Sequence, residues 1–217
     1  MRRPRRSLTL VTGPSVEPVT LTEAKTWARI DGTADDDSIT QLIKAARATA
    51  EEYLRRAIIT QTWRLTLDLP CSGLDQLLGE GTYDLPVSAL NGDMSRAVEL
   101  PKGPIQSITS VKTTDTANTQ TTFAPSNYYL DAPGERLVLT TGATWPSNLR
   151  SIAAIEITFA AGYGATGDSV PHPIKTGMLI HIASLYEQRG NCEDAMSLPP
   201  GTKRLYDQYR VMGDRLG

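Results

Sequence analysis

The sequence predicts an α+β fold in which a helical core, made of two N-terminal helices plus C-terminal helices, carries an inserted antiparallel β-domain. Two observations support this prediction. Apolar residues recur at helical spacing near both ends of the chain, and the region between contains short strand-like segments separated by turn residues. Because these strands follow one another without intervening helices, they should pair in antiparallel fashion.

Two helices are predicted near the N-terminus. Thr20 and Glu23 have the spacing of a capping box, which predicts a short helix over about residues 21–30. The acidic run of residues 35–37 offers caps and negative charge to the positive end of a second helix. This second helix shows one apolar face over about five turns. The face consists of Ile39, Leu42, Ile43, Ala46, Ala50, Tyr53 and Leu54.

Between Thr62 and Leu69, apolar residues recur at every second position instead of at helical spacing, as expected for a half-buried strand. Residues 70–97 are rich in glycine and contain Asn91-Gly92, and we interpret them as a long excursion or an extra hairpin. Short strands are then predicted at 98–100, 105–113, 127–131, 136–140 and 152–160.

Two helical segments close the chain, one from Ile174 to Gln188 and a shorter one over about 201–212. The shorter segment is rich in tyrosine and arginine, the residues most enriched at interface hot spots. A helix this short gains little stability alone and needs a partner surface, either its own fold or another chain. We therefore expect a flexible N-terminal arm (1–18), a helical core (19–60 and 171–190), a β-domain (61–170) and a C-terminal tail (191–217).

The most enzyme-like motif is Gly162-x-Gly164-x-x-Gly167, which resembles a dinucleotide-binding fingerprint. In such a fingerprint the third glycine lies in the helix whose N-terminus holds the pyrophosphate. Here the sequence Asp-Ser-Val-Pro-His-Pro follows Gly167, so that the next helix cannot begin until about Pro173. We interpret the motif as a glycine-rich turn, and we expect no cofactor.

Other signatures of chemistry are weak. The formal net charge of -2 gives no global attraction for nucleic acid, and the arginines at positions 2, 3, 5 and 6 are interpreted as a disordered solubilising tail. Cys71 and Cys192 form no metal-binding or disulfide pattern, and His172 and His181 should lie on opposite faces. No apolar run is long enough to cross a membrane, so cytosolic synthesis and residence are expected.

The order of motifs resembles the head-tail connector (adaptor) proteins of tailed bacteriophages and related gene transfer agents. The resemblance runs from about Val19 to Arg210. It is carried by VTLTEAKTWARIDGTADDDSITQLIKAARATAEEYLRRAIITQTW, LPKGPIQSITSV, YYLD, FAAGYG, VPHPIKTGMLIHIASLYEQRG and LPPGTKRLYDQYR.

This resemblance implies a protein without enzymatic activity that forms a ring below the portal and lets DNA pass. Its partners would be the portal protein, a stopper or tail-completion protein and further copies of itself in a twelve-subunit ring. It would be assembled in the bacterial cytoplasm and reside in the neck of the particle, without contact to a membrane. Portal contacts are implied for Leu205, Tyr209 and Arg210, and the interface argument adds Arg204 and Tyr206.

A closed ring requires two different faces of each subunit to meet. The polar side of the second helix offers both signs of charge for this purpose, although a solvated face is the open alternative. The residues are Lys44, Arg47, Glu51, Glu52, Arg55 and Arg56. The acidic residues Asp35, Asp36 and Asp37 are lumen candidates, because a channel for DNA should repel phosphates rather than bind them. The rival interpretations are a β-sandwich carbohydrate-binding module and a ligand-binding enzyme domain.

Overall fold

The structure is a computed structural model that describes residues 6–69, 96–188 and 198–211. The helices are α1 (Leu21–Ala28), α2 (Asp36–Leu54), α3 (His172–Glu187) and α4 (Pro200–Asp207). The strands are β1 (Arg6–Thr12), β2 (Gln61–Leu67), β3 (Ala97–Glu99), β4 (Ile105–Thr114), β5 (Gln120–Thr122), β6 (Tyr128–Asp131), β7 (Arg136–Leu139) and β8 (Ile155–Ala161). The predicted α+β class, with strands between N-terminal and C-terminal helices, is confirmed.

All strand pairs are antiparallel. One sheet has five strands in the order β1-β2-β8-β4-β5, and the other has three in the order β3-β7-β6. The pairing of β4 with β8 shifts register twice, between Ile105 and Ser107 and between Ile108 and Ser110. Each shift marks a bulge, which bends the strand and disrupts regular pairing along it.

The described residues bury two hydrophobic clusters. One lies in the β-part and includes Leu65, Ile157 and Phe159, each fully buried. The other joins α1, α2, α3 and α4 through residues such as Ile39 and Ile174. The predicted apolar face of α2 therefore packs as expected, since Ile39, Ile43, Ala46, Ala50 and Leu54 are all buried.

The capping box at α1 is confirmed. The Glu23 amide donates to the Thr20 hydroxyl (3.2 Å), and the Thr20 amide donates to the Glu23 carboxylate (2.7 Å). These bonds satisfy two backbone donors that the helix itself cannot pair. The bond from the Thr20 amide to the Glu23 carboxylate is also the largest cause of the lowered pKa of Glu23.

Backbone hydrogen bonds tie the helical part to the β-part. The Thr60 amide donates to the Gly164 carbonyl (2.9 Å), and the Tyr163 amide donates to the Ile58 carbonyl (3.0 Å). At Gly162, φ is +135°, and an added Cβ would lie 2.5 Å from the Ile59 carbonyl. Glycine is therefore required there for close chain approach. The interpretation as a glycine-rich turn is confirmed, because β8 ends at Ala161 and α3 begins only at His172.

The expected flexible arm over residues 1–18 is wrong from Arg6 onwards. Residues Arg6–Thr12 form strand β1, whose Leu8 lies opposite Leu65 of β2 and packs against the β-part cluster. The alternation of leucines at positions 8 and 10 is the sequence signal for this strand. The arginines at positions 2, 3 and 5, and most of the 70–97 excursion, lie outside the described residues. The rest of the domain division stays a prediction.

Candidate assembly interfaces

The predicted tail helix, α4, packs on α3 around a glycine. The Thr202 hydroxyl donates to the Gly177 carbonyl (3.1 Å), and a Cβ on Gly177 would lie only 2.5 Å from the Tyr206 ring. Tyr206 is fully buried, so its prediction as a portal contact is wrong for this arrangement of the tail. Helix α4 therefore packs through Tyr206 on α3 of its own chain. The sequence had left open whether its partner surface is its own fold or another chain.

The segment after α4 is hydrogen-bonded to the C-terminal end of α2. The Val211 amide donates to the Leu54 carbonyl (3.1 Å), and the Arg56 guanidinium donates to the Tyr209 carbonyl (2.8 Å). The Arg210 guanidinium lies 4.8 Å from the centre of the Tyr53 ring, a cation–π distance. The tail is thus held by polar contacts as well as by buried apolar side chains.

The Tyr53 hydroxyl forms a further polar contact with α4. It donates to Asp207 (2.7 Å), and this bond to the carboxylate is the main reason why the pKa of Tyr53 is raised. The four remaining predicted portal residues stay at or near the surface. Arg204 and Arg210 are exposed, and Leu205 and Tyr209 are half-buried.

The polar side of α2 divides into two groups. Lys44, Glu52 and Arg55 are exposed, and Glu52 pairs with Lys102 (3.4 Å). The prediction is wrong for Glu51, which is buried and accepts hydrogen bonds from the Ile58 amide (3.1 Å) and from Gln61. Burial raises the pKa of Glu51, against the lowering effect of these hydrogen bonds and of nearby positive charge.

Arg47 and Arg56 are used within the chain. Arg47 pairs with Glu17 (2.8 Å) and with Glu51 (3.2 Å), which links α2 to the segment before α1. Arg56 pairs with Glu135 (2.8 Å) and so links the end of α2 to the β-part. These contacts satisfy both side chains inside one subunit and make them unsuitable as principal ring contacts.

The acidic run also has internal partners. Asp36 pairs with Lys25 (2.6 Å), and Asp35 accepts a hydrogen bond from the Tyr186 hydroxyl (2.7 Å). Asp37 is exposed. Two of the three carboxylates therefore position α1 and α3 against the start of α2, and Asp37 is the lumen candidate that faces solvent.

Charge is distributed unevenly along α2. The exposed residues near its C-terminal end and on the adjacent α4 include four cations, Arg55, Lys203, Arg204 and Arg210, and two anions, Glu52 and Asp207. Near its N-terminal end, Asp31 and Asp37 are exposed, together with Arg29 at the end of α1. Since a helix of 19 residues is about 28 Å long, the excess of positive charge at one end is well separated from the excess of negative charge at the other.

Exposed apolar residues mark surfaces that the sequence reasoning missed. Leu10 and Val11 on β1 are each 45% exposed, Val16 is 42% exposed and Trp27 on α1 is 48% exposed. No sequence signal marked Trp27, because it lies three residues after the buried Ala24 and such residues share one side of a helix. None marked Leu10 and Val11, because strand-like residues do not indicate whether a neighbouring strand covers them.

The described residues contain little that resembles a reaction centre. None of their acidic, histidine or cysteine side chains form a group of three or more that could hold a metal ion. His181 is buried in α3, its Nδ1 has no hydrogen-bond partner in the part of the chain that the structure describes, and burial lowers its pKa. Within the described ranges, no helix is long and apolar enough to cross a membrane.

Comparison with known proteins shows the fold and a family match over part of the chain. The family model of the phage gp6-like head-tail connector proteins matches residues 18–124. The whole chain is similar to a chain in the neck of an empty gene transfer agent (GTA) particle computed with C6 symmetry. That match has a TM-score of 0.69 at 22% identity and covers 96% of this chain and 99% of the other.

Two further structural matches agree. A chain in the virion of a native GTA particle has a TM-score of 0.69 at 22% identity, over 96% of this chain and 98% of the other. A chain in the neck of a native GTA particle computed with C12 symmetry has a TM-score of 0.61 at 22% identity, over 96% and 99%. A search of curated proteins gave no significant match. Residues 18–124, just under half of this chain, thus match the phage gp6-like head-tail connector family, and together with the likeness to the neck chains this match supports a structural head-tail connector role.

Proposed function

We propose that the protein is a non-enzymatic adaptor in the neck of a tailed phage or gene transfer agent particle. It forms a ring below the portal, joins the DNA-filled head to a stopper or tail-completion protein, and lets DNA pass through its lumen. The observation that carries this proposal is the family match, which covers α1, α2 and the strands β2 to β5. The structural likeness to a neck chain over 96% of this chain supports it.

The portal-facing surface in this proposal is the electropositive end formed by α4 and the C-terminal end of α2. Arg204 and Arg210 are exposed on it, as are Lys203 and Asp207, and Leu205 and Tyr209 are half-buried beside them. Arginine and tyrosine contribute strongly at protein interfaces, because they combine polar groups with large contact area. Tyr206 supports this surface from below without reaching the partner.

The portal contact can be tested by charge reversal. Lys203→Glu with Arg204→Glu should reduce binding to the portal at least tenfold, because both side chains are exposed and near the centre of the surface. Arg29→Glu is a matched control, since Arg29 is equally a surface arginine but lies at the end of α1. Equal portal binding by both variants, with unchanged folding by circular dichroism, would exclude this surface.

The ring and its lumen make separate predictions. Lys44, Glu52 and Arg55 are the remaining ring contacts on α2, and Asp37 is the remaining lumen residue. Reversing the charge of Lys44 should weaken ring formation more at low salt than at high salt, because exposed charge pairs are screened. Asp37→Asn should leave the ring intact but slow DNA delivery, and unchanged delivery would remove Asp37 from the lumen assignment.

The overall role is tested by counting subunits. Quantitative mass spectrometry of purified, DNA-filled particles should give a copy number near that of the portal protein, since each portal subunit would meet one adaptor. Absence from particles, or a large excess over the portal, would refute the adaptor role.

A further inference from the structure

Strand β1 is an unusual edge strand. It forms one edge of the five-stranded sheet and pairs only with β2. Natural edge strands usually carry charges, prolines or bulges that prevent pairing with other chains. The sequence of β1, RSLTLVT, has Arg6 as its single charge and contains no proline, and its Leu10 and Val11 are each 45% exposed. Its pairing with β2 is regular from Arg6 to Leu10 and shifts register only between Leu10 and Thr12.

The strand contributes little to the core of its own subunit. None of its residues is buried, and only Arg6 and Leu8 are half-buried. Its attachment therefore rests mainly on the backbone ladder with β2, in the register Ser7 opposite Thr66 and Thr9 opposite Arg64. A ladder of this kind can be formed equally well with β2 of another copy, because the same residues meet in the same register.

The connection to α1 has one movable part and one fixed part. Residues 13–16 contain neither helix nor strand, and Gly13, Ser15 and Val16 are exposed. After them, Glu17 pairs with Arg47 (2.8 Å), and Val19 is fully buried. Four extended residues reach about 14 Å, so β1 could reach only a directly adjacent subunit.

No other free edge among the described strands provides a regular partner for β1 of a second copy. The outer edges β5, β3 and β6 have three, three and four residues. The open part of β4 carries the two bulges described above. Addition of β1 to one of these edges of another copy is thus disfavoured, whereas exchange retains the seven-residue partner β2.

We propose that β1 is exchanged between neighbouring copies of this chain, so that β1 of each subunit pairs with β2 of the next around the ring. Exchange in one direction is a heterologous contact, and such contacts close into rings. The cost is small because the ladder is regained, and the neighbouring subunit can cover Leu10 and Val11. This inference rests on the proposed ring, and it adds the element through which subunits are linked.

Disulfide trapping tests the exchange. In a Cys71→Ser, Cys192→Ser background, Ser7→Cys and Thr66→Cys place two thiols at opposed positions of β1 and β2. The matched control is Thr66→Cys with Glu156→Cys, which are opposed in β2 and β8. Rings assembled on the portal would be oxidised and then separated in detergent without reductant.

If β1 is exchanged, the oxidised Ser7/Thr66 variant should run as covalent multimers. The control variant should run as a single chain, because its disulfide forms within one subunit. Mixing the two single-cysteine variants before assembly should also give covalent dimers, which provides a second readout if the double variant assembles poorly. Rings that form normally but contain only intrachain Ser7/Thr66 disulfides would overturn the exchange while leaving the adaptor role intact. Failure of the unsubstituted chain to form any ring would overturn both.

Discussion

A methyl group added at Gly177 tests how α4 is held. In α3, the Gly177→Ala change should favour the helix by about 1 kcal/mol if intrinsic propensity alone mattered. The structure predicts the opposite effect, because the new Cβ would lie 2.5 Å from one Tyr206 ring carbon and 3.0 Å from another. Ordinary carbon contacts require about 3.5 Å, so the buried ring would have to move by roughly 1 Å.

The size of the effect follows from the contacts that this movement disturbs. Overpacking of a buried site costs about 1–3 kcal/mol. Displacing α4 also weakens the hydrogen bond from Thr202 to the Gly177 carbonyl, worth about 1 kcal/mol. After subtracting the gain in helix propensity, we expect α4 docking to weaken by about 2 kcal/mol, which corresponds to roughly a 30-fold change in an equilibrium constant.

Hydrogen exchange of the α4 amides measures the free energy of α4 docking directly. Gly177→Ala should lower their protection by roughly 30-fold, from the 2 kcal/mol worked out above. Gly201→Ala is the matched control, since the same change in α4 meets no atom within 4 Å and should leave protection equal or slightly higher. Unchanged or increased α4 protection in Gly177→Ala would refute the packing argument.

Three further predictions concern single side chains. Tyr206→Phe should leave the free energy of unfolding unchanged or raise it by up to about 1 kcal/mol in urea denaturation, because the buried hydroxyl has no hydrogen-bond partner among the described residues; a clear loss would reveal one. Thr20→Ala should lower stability by about 1 kcal/mol through loss of the capping box, and a change below 0.3 kcal/mol would contradict that role. Burial lowers the pKa of His181 below its usual value of 6.5, so the unfolded chain binds a proton at a higher pH than the folded chain does. The free energy of unfolding should therefore fall as the pH drops below 6.5. His181→Leu should flatten this pH dependence, and an equal slope in both proteins would exclude His181 as its source.

The sequence by itself determined the elements with strong local signals. The capping box of Thr20 and Glu23, the apolar period of α2 and the alternation in β2 each depend on neighbours within a few residues. The delay of α3 until His172 was likewise visible, because Asp-Ser-Val-Pro-His-Pro cannot form the helix that a phosphate cradle needs. The α+β class and the resemblance to the connector family follow from these local patterns and their order.

Only the tertiary structure decided which of the predicted interface residues face the solvent. Arg47 and Glu51 are four residues apart, which is the spacing of exposed charged pairs on a helix, and tyrosine is a residue type enriched at interfaces. Glu51 and Tyr206 are nevertheless buried within the chain. Their partners, Gln61 and Gly177, are separated from them by 10 and 29 positions. The pairing of strand β1 likewise needed the tertiary structure, because its partners in β2 lie 50 to 61 positions later. Burial and pairing are set by contacts between distant parts of the chain, and no local pattern contains that information.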